Sequence, residues 1–172
     1  MINQEIKKFA LLFDGVKETA NNSGWEKVYF PTIGMSFTQL LKTVGWHKYD
    51  AWCALAGEAI WKLGYSQYDS TMIKTLDNLF SASAVQTWRN FLASDFVCSQ
   101  TPEVGALIIW QNYANGIAKR DGHLGIVLDF SETLVKTEEG NSANQMRKRL
   151  YKFPFIKKEN GLNLLGFVHP KL

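Results

Sequence analysis

The sequence predicts an α+β fold, with N-terminal helices packed on a small antiparallel β-sheet. Two observations carry this. From Ile2 to Ala93 apolar residues recur at spacings of three and four, the period of a helix face. After Pro102 the apolar runs turn β-branched and aromatic, bounded by Gly, Asn and Asp. Helical and extended stretches come in blocks instead of alternating, which is the α+β pattern.

Ile2 to Thr19 reads as a helix through Ile6, Phe9, Ala10, Phe13 and Val16, broken by the turn formers Ala20-Asn21-Asn22-Ser23-Gly24. Ser36 is an N-cap for a second helix carrying Phe37, Leu40, Leu41 and Val44 and stopped by Gly45. A third helix is expected from about Asp50 to Leu63, ending at Gly64, which puts Cys53 in its first turn. Ser70 to Phe80 and Ser83 to Ala93 complete the helices; Val85, Trp88, Phe91 and Leu92 share a face of the second. Strands are expected over Val104 to Trp110, His123 to Phe130, Thr133 to Glu139 and Leu164 to Val168. With no repeat, linker or low-complexity tract, residues 1–172 read as one catalytic domain. The stretch from Tyr65 to Gln100 is long for a connection between helix and sheet and reads as a lid or a docking surface.

The 172 residues are 46% hydrophobic and 20% charged, which excludes a disordered or fibrous chain. Charge is uneven: seven basic residues against the single acid Glu159 follow Ser142, leaving the first 141 residues at about −3. Such a basic end faces either solvent or an anionic polymer. The apolar run Phe9 to Phe13 is too short for a signal peptide, and nothing approaches the ~20 apolar residues of a membrane span. Synthesis in the cytoplasm without a signal, and no membrane insertion, are therefore expected.

A catalytic thiol needs a lowered pKa, because the thiolate attacks, and the first turn of a helix supplies unpaired N–H groups and a positive dipole end. Cys53 has that placement, although a buried structural thiol fits the residues alone as well. Nothing around Cys98 suggests activation. A thiolate also needs a base and the base an orienting partner. His123 opens an apolar strand between Gly122 and Gly125, glycines that leave room for a substrate. With period-two alternation Thr137, Glu139 and Asn141 share one face, whereas Glu138 points to the other, toward solvent. A hairpin would bring Glu139 to the His123 ring. The histidines His47, His123 and His169 show no zinc spacing, and no phosphate loop or dinucleotide fingerprint occurs, so no metal and no cofactor are expected. A two-carboxylate glycosidase stays open on composition, but no spacing selects a pair. The aromatic and basic stretch around Tyr151, Phe153 and Phe155 matches no nucleic-acid module.

Taken in order, these pieces resemble the CHAP-type cysteine amidases and peptidases, a branch of the NlpC/P60-like, papain-related hydrolases, in the short form found in phages and prophages. Ala51-Trp52-Cys53-Ala54 looks like the opening of the family's catalytic helix, and Glu18 to Gly24 like the acidic and Asn-Gly stretch ahead of it. Pro102-Glu103-Val104-Gly105-Ala106, Gly122-His123-Leu124-Gly125-Ile126-Val127, Glu139-Gly140-Asn141 and Gly166-Phe167-Val168 are similar to the elements of its sheet. The resemblance implies a papain-like core with Cys53 as nucleophile, His123 as base, Glu139 as orienting carboxylate and Asn141 in support. It departs in Val44 to Asp50, where one carboxylate replaces the acidic calcium loop of some phage members, so no structural calcium is expected. Ala106 also stands where many members have Asp.

What the resemblance implies is peptidoglycan hydrolysis at the muramoyl–alanine amide or inside the stem peptide or cross-bridge. Bacterial peptidoglycan is then the partner, and the chain a phage lysin released through a holin or carried with virion proteins. The rival expectations are a non-catalytic virion component that keeps the fold, and a cysteine hydrolase of a protein amide. No nucleic-acid partner is expected.

Overall fold

The computed structural model describes residues 1–171. Helix α1 (Ile2–Leu12) is followed by a short hairpin of β1 (Tyr29–Phe30) and β2 (Met35–Ser36). Four helices then follow: α2 (Phe37–Thr43), α3 (Cys53–Ser66), α4 (Met72–Leu79) and α5 (Ala84–Leu92). The main sheet comprises β3 (Cys98–Ser99), β4 (Leu107–Ala114), β5 (Ile117–Phe130), β6 (Leu134–Glu139), β7 (Arg147–Lys152) and β8 (Gly161–Val168). Its spatial order is β3-β8-β4-β5-β6-β7 and every pairing is antiparallel. The fold is α+β, as the block pattern of the sequence predicts.

The sheet is covered on both faces. Leu107, Ile109, Leu124, Ile126 and Leu128 join the helices in the larger core, whereas Ile108, Trp110, Val127, Val135 and Phe167 form a smaller one on the other face. Tyr151, Phe153 and Phe155 pack over that second core. Residues 65–100 pack partly into the core, so the segment does not stand off the fold as a separate lid. Phe80 from the end of α4, Phe91 from α5 and Phe96 surround Trp61 of α3 at ring distances of 5.6–6.0 Å. Each such buried side chain contributes about 1.5–3 kcal/mol, so the inner side of this segment is part of the core.

Several boundaries differ from those the sequence predicts. Helix α1 stops at Leu12, not Thr19, because Gly15 adopts φ +82° and turns the chain. Residues 15–18 then hydrogen-bond to Asn144 and Met146, across the end of the sheet. Helix α3 starts at Cys53 instead of Asp50 and runs past Gly64 to Ser66. Gly64 is not a stop: a Cβ there would lie 2.5 Å from Ile6 Cγ1, so it lets α1 and α3 close. Ser36 does cap α2, in a full capping box with Gln39. Strand β4 begins at Leu107, and β5 extends back to Ile117 through Asn115-Gly116, both at positive φ. Strand β7 has no counterpart among the predicted strands. Among the described residues no helix is long and apolar enough to cross a membrane.

Candidate active site

Cys53 is the first residue of α3, where its N–H has no intrahelical acceptor. The helix start is fixed by the residue before it. Trp52 is fully buried against Trp25 and Phe37, at ring distances of 5.1 and 5.8 Å, and its indole N–H donates to buried Glu18 at 3.1 Å. Gly140, just past β6, allows the sheet to meet this helix end, since a Cβ there would lie 2.7 Å from Ala56 Cβ.

His123 pairs with Trp110 across the β4–β5 ladder, and the two rings stack 5.7 Å apart at 26°. Glu139 stands opposite Gly125, two residues along β5, and reaches diagonally to place Oε2 2.9 Å from His123 Nε2. A Cβ on Gly125 would lie 2.7 Å from Glu139 Cγ. The glycines flanking His123 therefore make room for the protein itself, not for a substrate: Gly125 for Glu139, and Gly122 for the Trp110 carbonyl and Val85. The second oxygen of Glu139 accepts from Thr137 Oγ1 at 2.6 Å and from the Tyr151 hydroxyl at 2.8 Å. Glu139 is 1% exposed, so three donors hold a buried carboxylate in one orientation.

With Nε2 committed to Glu139, Nδ1 is the ring nitrogen left for the neighbouring Cys53 thiol. Burial works against a thiolate at Cys53. The hydrogen bond and charge of His123, with the backbone at Ala54 and Leu124, outweigh it and hold the thiol below its ordinary value. Burial likewise opposes the imidazolium, and the bonds to Cys53 and Glu139 overcome it, lifting His123 well above its ordinary value. The arrangement stores a nucleophile and an acid side by side, a pair suited to acyl transfer. Cys98, on β3 and half-buried, has its thiol pushed up by burial, and both cysteines are free.

The remaining expected residues fall differently. Asn141 adopts φ +54° and donates to Asn22 Oδ1 at 3.1 Å, not to the His123 ring. Asn22 in turn donates to the Tyr49 carbonyl at 3.2 Å, so the two amides tie together the three loops around Cys53. Tyr49 itself is exposed. Glu138 does point away from Glu139, but not to solvent: it is 0% exposed, and among the described residues neither carboxylate oxygen has a hydrogen-bond partner. The opposite face of β6 is covered, which a half-buried sheet would not be. Burial and the charge of Asp14 push the Glu138 carboxyl up to about 8.

Glu18, Thr137, Trp110 and Tyr151 complete the setting. Thr137 was readable, two residues before Glu139 on the same strand face. Tyr151 was not, because its strand is hidden by charge. His169 lies elsewhere, with Nδ1 2.5 Å from Glu103 and Nε2 2.8 Å from Ser99 Oγ. Among the described residues no three His, Cys, Asp or Glu gather as a metal site. No family model, curated protein or solved structure matches the chain.

Proposed function

We propose that the chain is a cysteine-type peptidoglycan hydrolase cleaving an amide bond, a CHAP-like lysin with a papain-like core. The observation that carries this is the meeting of Cys53, at the start of α3, with the His123 ring, which is itself 2.9 Å from the buried Glu139 carboxylate. Substrate class and phage context rest on the resemblance of the motifs around these residues.

In the proposed reaction Cys53 Sγ attacks the amide carbonyl carbon and forms a C–S bond. The oxyanion is held by the Cys53 backbone N–H at the helix start. His123 gives its proton to the leaving amine as the C–N bond breaks, leaving a thioester. Neutral His123 then takes a proton from water, whose oxygen attacks the thioester. The C–S bond breaks, thiolate and imidazolium are restored, and the acid product leaves. Glu139 keeps the ring oriented and offsets the imidazolium charge throughout.

Clearing of purified sacculi tests the reading. The parent and Cys98→Ala are expected to clear, and Cys53→Ala not, with unchanged circular dichroism. Clearing by Cys53→Ala at the parent rate removes the thiol mechanism.

A further inference from the structure

The segment after β7 arches over the smaller core of the sheet and, with β4 and β8, borders a cavity of about 290 Å³. Asn163 clamps the arch, accepting from the Lys158 N–H at 2.6 Å and donating to its carbonyl at 2.8 Å. Tyr113, Phe153, Phe155 and Leu164 wall the cavity. Ile156 stands at its rim 82% exposed, an apolar side chain with nothing over it.

The wall of this cavity is joined to the candidate active site through packed aromatic side chains. Trp110, stacked on His123, lies 6.5 Å from Phe155 and 5.3 Å from Tyr151, and Phe155 lies 6.0 Å from Phe153. An aromatic row thus leads from the histidine into the cavity wall. Polar groups also line the cavity. The Lys157 ammonium sits 5.9 Å over the Tyr113 ring and has no carboxylate partner among the described residues. Gln100 spends its amide N–H on the Leu165 carbonyl, which leaves its oxygen as an acceptor.

The volume lies at the small end of ligand pockets, about 300–1,000 Å³, and suits one ring rather than an extended chain. Flat aromatic walls match a ligand with an apolar C–H face, while a cation and an amide oxygen at the rim match hydroxyl and acetamido groups. We propose that the cavity binds one N-acetylated hexosamine ring of the glycan strand that carries the amide attacked by Cys53. The proposal rests on the peptidoglycan reading and adds a sugar subsite whose wall is joined to His123 by the aromatic row.

The test uses the full chain and a tetramer of N-acetylglucosamine, which lacks the stem peptide. Amide NMR shifts should move at residues 153–157 and Tyr113, and binding should weaken about tenfold in Ile156→Asp, the loss of one good apolar contact. Ile156 is exposed, so that variant should fold; Phe155→Ala is the second variant, checked by circular dichroism. Cys53 alkylation in Ile156→Asp should match the parent, while its clearing of sacculi falls. No shift with saturating tetramer, or equal binding by both variants, overturns the subsite. A chain that binds the tetramer at this cavity yet clears no sacculi supports the subsite and overturns the hydrolase reading, so the two failures are distinct.

Discussion

Glu139 spends both carboxylate oxygens inside the protein, one on His123 and one shared by Thr137 and Tyr151. On the proposed mechanism its charge is needed whenever the imidazolium forms. Glu139→Gln should therefore lower turnover by up to ~10⁴-fold, the scale of losing an orienting carboxylate. It should also move the alkaline limb of the pH–rate profile toward neutrality, since the Glu139 charge helps hold the His123 proton. The signs follow from the pair: rate rises as Cys53 ionises, below its ordinary value, and falls as His123 loses its proton, above its own. A parent profile whose rising limb sits at an ordinary thiol value would contradict the ion pair. Gly125→Ala is the steric version of the same test. The added methyl 2.7 Å from Glu139 Cγ should displace the carboxylate and lower activity while circular dichroism stays that of the parent.

Strand β6 carries the contrast between neighbouring carboxylates. Glu138 faces the covered side without a hydrogen-bond partner among the described residues, and its carboxyl is pushed up to about 8 from an ordinary 4.5. The folded state therefore holds this proton more tightly than the unfolded chain does. Stability from this group is fullest below about pH 4.5, declines as pH rises through the range to 8, and stays reduced above it. The melting temperature of the parent should fall between pH 5 and 8, and Glu138→Gln should flatten that slope. Equal slopes would assign the pH dependence to other groups. Turnover of Glu138→Gln below neutral pH should stay near the parent, because the native carboxyl is protonated there. Period-two alternation made Glu139 legible as the inward partner of a histidine. It did not make the fate of Glu138 legible, since alternation separates two faces without saying whether both are covered. The helix starts were read from caps and spacing, and α2, α4 and α5 lie close to where those signals put them. Strand β7 was missed because Arg147, Lys148, Arg149 and Lys152 bury almost nothing. At the edge of a sheet that is what a strand should look like: charge on an open edge blocks pairing with another chain.

Across the whole molecule, three separate segments converge on one thiol. Helix α3 brings Cys53, the β5–β6 pair brings His123 and Glu139, and the loops at Asn22, Tyr49 and Asn141 close around them. Glu18 and Trp52 lock the helix start from the N-terminal side, so Glu18→Gln should weaken catalysis through position, leaving the pH limbs where the parent has them. The order of motifs in the sequence anticipates the meeting of Cys53, His123 and Glu139. It could not anticipate the supports made by contacts far apart in the chain, such as Glu18 with Trp52. The most direct measurement is mass spectrometry of sacculi digested in ¹⁸O-labelled water by the parent and by Cys53→Ala. The account predicts soluble fragments with one new free amine and one new carboxylate carrying a single heavy oxygen, from the parent alone. Fragments with new reducing sugar ends and intact amides, or the same amide products from Cys53→Ala, would contradict it.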